Sequence, residues 1–563
     1  MASLRHGVLM VSELSASSEV QAPLRIGAVV ESVSVPAWVA ELLAEIDGAE
    51  FLELDALVVP PTKTRPRRRL ELIPTKVRTA LHRAYVRLDR RAFRVPHEAL
   101  ATVDLTERLP HLATVRVAIQ PGDQGADPEA APAVRGLDLL LLLGPSAPSR
   151  SVLAATRFGA WRVRFGAGNS LSDSIGVRDV RSASELCEIV VEAVAEAGGT
   201  VVDRAWTSRD PISLHRTRTH AYWRAAHAVM GSLRDLQASG GKGLPPLGSV
   251  APDTNEGEPA NREMISHLAV LGSRAVARQV RSRLFRERWF LAYRRRRPGV
   301  EPGDAMDEFK LVDTPVGRSF MDPFLVEWDG VHFIFFEDFR ERIGRGVISV
   351  IELDAEGNAS PPRVVLERDY HLSYPFVFSY GGELYMIPET AANRTIELYR
   401  ATAFPDRWAL DRVLMSDLTA VDSTVFEHDD RFWLFASMRR PGTRLSDELS
   451  LFVADSPFGP WTPHERNPIV CDPRSARPAG RTFREGGDLI RPSQDSSASY
   501  GRAVVFNRID VLDETDYRET SIGRIEPGWI RGNVGTHTYN RDAVYEVVDG
   551  RRLVARGLSL HRR

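Results

Sequence analysis

Cysteine is almost absent from this 563-residue chain, which has only Cys187 and Cys471. Two cysteines so far apart in the sequence supply neither a disulfide framework nor a cysteine-rich zinc site, and their scarcity is typical of a reducing cytoplasm. An excess of charge of one sign is missing too, since 73 Lys and Arg stand against 75 Asp and Glu. Because such a chain has no global field that collects polyanions, we expect no nucleic-acid partner.

Long apolar runs are lacking as well. Glu13 interrupts the first apolar stretch, and Leu137 to Leu143 has only the length of a strand and contains Asp138. The sequence therefore predicts neither a signal peptide nor a membrane-spanning segment. Sequence motifs for nucleotide binding, zinc proteases and serine hydrolases are absent, and no D-x-D motif stands in a convincing context. We accordingly expect no cofactor and no metal.

Residues 24–237 follow an N-terminal tail of residues 1–23. In them, short apolar runs alternate with segments whose apolar residues recur at helical spacing. This alternation predicts an α/β domain with Rossmann-type layers. The predicted strands are LRIGAVVES (24–32), FLELDALVV (51–59) and GLDLLLLLG (136–144). The predicted helices are PAWVAELLAEIDG (36–48), SASELCEIVVEAVAEAGG (182–199) and TRTHAYWRAAHAVMGSLRDLQ (217–237).

Residues 238–262 are rich in Gly, Pro and small polar residues, a composition that predicts a flexible linker. Residues 263–287 form a basic amphipathic stretch, for which we favour a connecting helix with solvated arginines. An alternative is a peripheral contact with a membrane surface through the basic stretch 274–297.

Residues 288–563 have a different sequence pattern, in which short aromatic and β-branched runs are separated by Gly, Asp and Asn turns. This pattern indicates an all-β domain. Three segments share one plan and start about 50 residues apart, a period typical of propeller blades. They are MDPFLVEWDGVHFIFFEDF, SYPFVFSYGGELYMIPET and VDSTVFEHDDRFWLFAS, and weaker copies surround Arg481 and His537. The sequence predicts a five-bladed β-propeller, closed by RWFLAYRRR (288–296) pairing with the last blade.

The innermost strand of each propeller blade begins at the central funnel, so the residues that open the repeats are expected to face one another. These residues are Asp322, Tyr374, Asp422, Arg481 and His537. Two carboxylates from different blades suit glycosidic acid–base chemistry, and we predict that Asp322 and Asp422 are catalytic.

Two further carboxylates, Glu337 and Glu389, each follow an apolar run, where partial burial raises a carboxyl pKa toward the role of an acid. We count them as catalytic candidates, with a structural role at a blade turn as the alternative. Arg481, Arg491, Gln494 and His537, with Tyr374, are the predicted substrate-binding residues, because Arg binds anionic groups and the others exchange hydrogen bonds with hydroxyls.

The C-terminal region resembles the propeller domain at the N-terminus of plant glucosamine inositolphosphorylceramide transferase and its bacterial relatives. The motifs that carry the resemblance are RWFLAY, DPFLVEWDG, YPFVF, GGELYMIPE, VDSTVF, LIRPSQD, YG and GTHTYN. The propeller is similar in plan to arabinanase and β-xylosidase glycosidases. This similarity implies a general base at Asp322 and a pKa-tuning aspartate at Asp422. Their acid is a glutamate in the next blade, whereas the nearest candidate here, Glu485, is predicted to lie in a hairpin turn.

Residues 24–237 resemble the formyltransferase-like fold, through IGAVVES, GLDLLLLLG and FGAWRVRFGAGNS in that order. That family uses an Asn, a His and an Asp, but this chain has RFGAG (164–168) where the His-Pro-Gly turn would stand. A backbone turn cannot replace an imidazole that shuttles protons. The resemblance therefore implies a domain inactive as a formyltransferase that serves binding or scaffolding.

Three functions stay open. The first is a cytoplasmic carbohydrate-active enzyme of bacterial surface-polysaccharide or glycoconjugate metabolism that transfers or cleaves a glycosyl unit at the propeller centre. The second is a non-catalytic glycan-binding propeller, and the third is a formyltransferase that acts on an amino sugar. In the first two, the expected partner is a glycan or a sugar-containing substrate.

Overall fold

A computed structural model describes residues 22–59, 77–112, 114–116, 134–144, 155–166, 169–170, 185–194, 199–240, 242–250 and 259–556. Within these ranges the chain forms an N-terminal α/β region followed by a ring of five β-sheets. Nearly all of the predicted N-terminal tail lies outside them, as do Ala167 and Gly168 of the predicted RFGAG turn.

Within the described ranges, the N-terminal region and the segment that follows it show five helices and ten strands. The helices are α1 (Ala37–Asp47), α2 (Ala80–Ala92), α3 (Leu105–Arg108), α4 (Leu214–Ala238) and α5 (Asn261–Leu284). The strands are β1 (Leu24–Val29), β2 (Ser34–Pro36), β3 (Leu52–Val59), β4 (Thr102–Asp104), β5 (Thr114–Arg116), β6 (Leu139–Leu142), β7 (Ala160–Phe165), β8 (Asn169–Ser170), β9 (Leu186–Val194) and β10 (Thr200–Ser208).

The main sheet of this region has the strand order β10-β9-β7-β6-β1-β3-β5, with β8 paired to β7. Neighbours from β5 to β7 are parallel, whereas β9 runs antiparallel to both β7 and β10. Helices α1 and α4 pack together on this sheet, where the rings of Trp38 and Tyr222 stack with centroids 5.5 Å apart. The expected α/β layers are present, and the relation to formyltransferases stays a prediction.

One predicted helix is wrong. The segment that includes Leu186 to Val194 is strand β9, a central member of the sheet. Its acidic residues are four apart, a spacing that fits a helix and equally fits the period of two of a strand. In the strand, Glu188 pairs with Arg204 and Glu192 with Arg162 on one face, while Ile189 and its alternate neighbours are buried on the other.

The predicted flexible linker is partly ordered. The backbone of Leu247 donates to Val201 at 2.8 Å, and that of Val250 donates to Gly199 at 3.0 Å, so this stretch lies along the free edge of β10. The connecting helix begins at Asn261 and leads directly into a strand at Phe285, slightly outside the predicted bounds of 263–287.

The ring consists of five sheets arranged as propeller blades. Blade 1 contains β13 (Arg318–Trp328), β14 (Val331–Arg340), β15 (Arg345–Leu353) and β16 (Arg363–Leu366). Blade 2 contains β17 (Ser373–Tyr380), β18 (Glu383–Thr390), β19 (Thr395–Ala403) and β20 (Arg407–Ser416). Blade 3 contains β21 (Ala420–His428), β22 (Arg431–Met438), β23 (Ser450–Ala454) and β24 (Thr462–Pro463).

Blade 4 contains β25 (Phe483–Glu485), β26 (Asp488–Asp495), β27 (Ala503–Leu512) and β28 (Tyr517–Ile525). Blade 5 combines β11 (Phe285–Arg295) and β12 (Lys310–Leu311) with β29 (Asn533–Gly535), β30 (Tyr539–Arg541) and β31 (Tyr545–Ala555). As predicted, a strand that precedes the other blades pairs with the last strand, because Phe285 to Arg295 align antiparallel with Ala555 to Tyr545.

Helix α4 joins the two regions, because its side chains reach the sheet on one side and blade 3 on the other. Fully buried Arg224 donates to Glu448 at 2.5 Å, and His227 contacts the same carboxylate at 2.7 Å. Thr207 of β10 donates to Asp447 at 2.6 Å. We call Arg224, His227, Arg440 and Glu448 the interface cluster. A second link lies at blade 4, where Glu185 and Arg502 approach to 3.8 Å.

None of the helices within the described ranges has both the length and the apolar character that crossing a bilayer requires.

Candidate active site at the propeller centre

The inner strands of blades 1 to 3 share a bulge near their first residues. The pairing register shifts between Met321 and Phe324, and it shifts at the same place in β17 and β21. At each bulge one residue has a left-handed backbone: Asp322 with φ 51°, Tyr374 with φ 42° and Asp422 with φ 56°. Residues other than glycine seldom adopt this conformation, and such strain is concentrated at functional sites.

Asp322 lies in a network with blade 5. Its carboxylate accepts a hydrogen bond from Thr538 Oγ1 at 2.8 Å and lies 3.4 Å from His537 Nε2. The other ring nitrogen of His537 contacts Asp549. Burial raises the pKa of Asp322 to about 6, although His537 opposes this shift. For His537, burial favours the neutral ring, but Asp549 and Asp322 outweigh it and raise its pKa.

Asp422 and Glu389 share one guanidinium. Arg477 Nε donates to Asp422 Oδ2 at 2.5 Å, and its Nη2 lies 3.9 Å from Glu389. Gln494 also donates to Asp422, at 3.0 Å. Burial, followed by the charge of Asp422, raises the pKa of Glu389 to about 8, while Arg477 opposes the shift. Glu389 therefore holds its proton at neutral pH while Asp322 is ionised.

Glu337 is the most isolated carboxyl of the cluster. It is 4% exposed, and its Oε1 has no hydrogen-bond partner among the described residues; the Nε2 of His371, whose pKa is lowered by burial, lies 3.6 Å away. Burial is the largest cause that raises its pKa well above the ordinary range, and Asp322 and Glu389 add to the shift. The protonated form avoids placing another negative charge among acids that already repel one another.

Tyr374 connects three blades below the carboxylates. Its hydroxyl contacts Thr424 Oγ1 at 2.9 Å and accepts a hydrogen bond from the backbone of Gly480 at 2.8 Å. Burial raises the pKa of this phenol, so it stays neutral. With both partners in place, Tyr374 is held rigidly between blades 3 and 4.

Aromatic rings line the blade 4 and blade 5 side of the cluster. Tyr500, in the turn between β26 and β27, is 44% exposed and lies beneath the guanidinium of Arg477 at 5.0 Å. The ring of Trp289 packs on His537 with centroids 4.1 Å apart. An exposed aromatic face beside acids and an arginine matches the surface that a sugar ring contacts.

The structure therefore brings together Asp322, Glu337, Tyr374, Glu389, Asp422, Gln494 and His537 from five blades. Arg481 lies apart from the carboxylates. It donates to the carbonyl of Val377 and packs on the ring of Phe376, and burial lowers its pKa to about 10. Arg491 donates to Glu519 at 2.7 and 2.8 Å, so its predicted role in binding substrate receives no support from the geometry.

Glu485, the counterpart considered for the glycosidase acid, ends β25 beside the turn Gly486–Gly487 and pairs with Arg541. It thus occupies the hairpin in which the sequence places it. On the blade 4 side, the groups that reach the cluster are Gln494 of β26 and Arg477, which precedes β25.

Three groups could together hold a cation: Asp322, His537 and Asp549 offer ligand atoms within 4.8 Å of one another. The raised pKa of His537 works against this use, because a metal needs the neutral ring. A protonated His537 contacts both carboxylates and neutralises one of their two negative charges.

Arg477, Tyr500 and Asp549 were not among the predicted site residues. Asp549 follows Val547 and Val548, but Glu546 interrupts the apolar run, so the pattern that selects Glu337 does not select it. Arg477 is four residues before Arg481, and the longer bulge of blade 4, between the bridge of Pro478 to Ser493 and the start of β25, lets it reach the cluster instead of Arg481. Tyr500 belongs to the YG motif of the resemblance, but nothing in the sequence places it beside the carboxylates.

The fold and the cluster define a five-bladed propeller with an acidic centre, and comparison with known proteins gives a consistent result. Residues 311–540 match the family described as "Glucosamine inositolphosphorylceramide transferase 1, N-terminal". The rice protein named glucosamine inositolphosphorylceramide transferase 1 (Oryza sativa subsp. japonica) is 40% identical over 205 residues, 36% of this chain and 27% of the rice protein. Its Arabidopsis thaliana counterpart is 36% identical over the same shares. These matches confirm the resemblance predicted for the propeller.

The chain thus covers about a quarter of the length of these curated relatives. Among solved structures, an exo-1,5-alpha-L-arabinanase from a bovine ruminal metagenomic library is 16% identical with a TM-score of 0.31, covering 43% of this chain and 94% of the other. A family 117 glycoside hydrolase of Zobellia galactanivorans is 10% identical with a TM-score of 0.32, covering 47% and 90%.

Proposed function

We propose that the propeller centre is a carbohydrate-active site that transfers or cleaves a glycosyl unit. The feature that supports this best is a pair of neighbouring buried carboxyls whose surroundings raise their pKa values to different levels, about 6 for Asp322 and about 8 for Glu389. A pair of carboxyls held in opposite states is what acid–base chemistry at a glycosidic oxygen requires. The names of the relatives matched by residues 311–540 point to the same class of substrate.

In this proposal Asp322 accepts a proton from the attacking hydroxyl, which belongs to water in cleavage and to an acceptor in transfer. Glu389 donates a proton to the leaving oxygen, because its pKa of about 8 keeps it protonated at neutral pH. Asp422 and Arg477 keep the pKa of Glu389 in this range, one raising it and the other lowering it. Tyr500 contacts the sugar ring.

The experiment screens the purified chain against nucleotide sugars and oligosaccharides, with products detected by mass spectrometry. We expect Asp422→Asn to lower turnover at least about a hundred-fold, the size of effect typical of acid–base machinery. Because the change also removes the counter-charge of Arg477, turnover is measured at a temperature at which the melting curve shows the variant to be folded. Asp510→Asn, a substitution of an exposed carboxylate on blade 4, is the matched control. Unchanged turnover in Asp422→Asn would rule out the proposal.

A second candidate is a glycan-binding propeller without turnover. The burial of the carboxylates favours it, since Asp322 is 5% exposed and Asp422 is 2% exposed, which limits their contact with a substrate. In this case the wild-type chain would bind a glycan without forming a product. The variants Asp322→Asn and Asp422→Asn would still bind the same glycan. Calorimetry with the glycans of the screen separates the two candidates.

A further inference from the structure

Two helices outside the propeller form an exposed, strongly basic surface, although the whole chain has a formal charge of −2. Helix α5 contains five arginines and one glutamate, and residues 77–94, which include α2, contain six arginines and one aspartate. The aspartate, Asp89, is buried against the start of α4. The two helices contact each other, with Tyr85 edge-on to His267 at 5.3 Å. We call their exposed residues the α2/α5 surface.

The arginines of α2 surround an open cavity. Arg87, Arg90 and Arg91 of the helix and Arg94, which follows it, line a volume of about 540 Å³ with His215. Of these four arginines, within the part of the chain that the structure describes, Arg90 has a carboxylate partner, Glu98 at 2.6 Å. Like charges at these spacings destabilise a helix, so an anion in this cavity would relieve their repulsion.

The α2/α5 surface also exposes large apolar side chains. Leu268, Val276, Val280 and Leu284 of α5 recur at intervals of four or eight residues and are between 38% and 64% exposed. Side chains four apart lie on the same side of a helix, so Val276, Val280 and Leu284 form one apolar ridge. Every residue from 272 to 285 is exposed, so within the described ranges no other element covers this half of the helix.

The α2/α5 surface is joined through β11 to the end of the propeller at which the carboxylate cluster lies. Helix α5 leads directly into β11, in which Trp289 packs on His537 of the cluster. Arg286, just after the helix, pairs with Glu341 at 2.9 Å. Glu341 follows β14 at the same end of blade 1 as Glu337. A flat partner bound by α5 would therefore lie near the end of the propeller that contains the cluster.

We propose that the α2/α5 surface docks this protein onto an anionic membrane. A ridge of Val and Leu flanked by arginines matches a lipid interface, in which apolar side chains enter the acyl boundary while guanidiniums remain at the head groups. Nucleic acid would use the arginines and leave the ridge exposed. If two copies of the chain associated through α5, the five arginines and single glutamate of one helix would face the same residues of the other. Charge repulsion opposes such a contact.

The test is co-sedimentation of the full chain with vesicles of phosphatidylcholine alone and of phosphatidylcholine mixed with phosphatidylglycerol. We expect binding only to the mixed vesicles, and we expect salt to weaken it. Each arginine near an anionic surface strengthens binding roughly five-fold, so replacing Arg274, Arg278 and Arg281 by Gln should weaken it about a hundred-fold. Replacing Val276 and Val280 by Ser should weaken binding at every salt concentration, since it removes the apolar contribution.

Two control variants are matched by exposure. Leu410→Ser with Val413→Ser removes two apolar side chains of blade 2 that are 49% and 47% exposed, and Arg407, Arg508 and Arg518 replaced by Gln remove three charges. Both controls should bind as the wild type does, and all variants should keep its melting temperature. Absence of binding to the mixed vesicles, or equal binding to both kinds, overturns the proposal. A wild-type dimer that dissociates in the Val276→Ser, Val280→Ser variant also overturns it. These measurements do not depend on turnover, so they stand whether or not the proposed activity is found.

Discussion

The chain contains two buried ionic clusters, one at the propeller centre and one between α4 and blade 3, and burial affects their carboxyls in opposite ways. At the interface, burial alone would raise the pKa of Glu448, but Arg224 and His227 outweigh it and the pKa falls well below its ordinary value. At the centre, acids outnumber cations, so the pKa of Glu389 rises to about 8 and that of Glu337 rises as well.

The difference shows that the ratio of charges, rather than burial, decides what a buried acid does. Glu448, with two arginines and His227 around it, is a fixed negative charge that holds two regions of the chain together. Glu389, with one arginine between two acids, keeps a proton that it can donate. Similar burial thus produces a structural contact in one place and a reactive group in the other.

The largest effect is expected from breaking the interface cluster. Glu448→Gln leaves Arg224 buried without its counter-charge, and we expect a loss of about 3–5 kcal/mol in the free energy of unfolding. Denaturant titration followed by tryptophan fluorescence measures it. The control is Asp510→Asn, which breaks the exposed pair with Arg508 and should cost less than about 1 kcal/mol. A loss as small as that of the control would contradict a structural role for this cluster.

A smaller effect concerns pH. Because the pKa of Glu389 is raised from its ordinary 4.5 to about 8 on folding, the unfolded chain releases this proton first and stability falls as pH rises through that window. Between about pH 5 and pH 7.5 the contribution of this group falls by about 3 kcal/mol. Glu389→Gln, which cannot ionise, should therefore lose less stability than the wild type over that range.

Thermal unfolding at a series of pH values measures this difference, with Glu383→Gln as the control. Glu383 is an exposed glutamate at the start of β18, the same strand as Glu389, and its pKa is lowered by hydrogen bonds from Tyr385 and Arg400. Its stabilisation is complete at neutral pH and disappears only as the solution becomes acidic. Parallel pH profiles for Glu389→Gln and the wild type would show that Glu389 does not keep its proton in the folded protein.

The smallest effect is expected at the exposed edge of the centre. Tyr500→Ala should weaken sugar binding by about two- to ten-fold, the contribution of one aromatic contact, and barely change stability. Calorimetry with a glycan found in the activity screen gives the affinity. Tyr380→Ala is the control. Tyr380 is 37% exposed and ends β17, whereas Tyr374 near the start of the same strand lies at the cluster. Equal affinity in Tyr500→Ala and the wild type would show that sugars do not use this ring.

Much of the propeller could be predicted from the sequence, because every blade repeats an aromatic strand, a turn of Gly or Asp and a second strand. The same local logic failed for Leu186–Val194, where acids four residues apart fit two periodicities and only the neighbours β7 and β10 decide between them. The ordered structure of residues 247–250 along the free edge of β10 could not be predicted either. It depends on backbone hydrogen bonds of Leu247 and Val250, which amino-acid composition does not indicate.

At the site, residues that open or close a repeat could be predicted, since their position in the blade fixes where they point. Asp322, Asp422, Glu337 and Glu389 belong to this group. Arg477 could not be predicted, because the bulge before β25 is longer than those of blades 1 to 3. The arginine that reaches the cluster therefore lies four residues before Arg481. Nor could the pKa shifts be foreseen, since they depend on the charges of five blades together.

The pairing of β11 with β31 also constrains how the chain folds. The two strands that close the ring are separated by roughly 250 residues, and the second is synthesised after every other blade. Until it emerges, β11 presents an unpaired edge beside four blades that cannot yet enclose a centre. Contacts so distant in sequence form slowly, so the nascent chain passes through a long open stage in which blades from different molecules can pair by mistake.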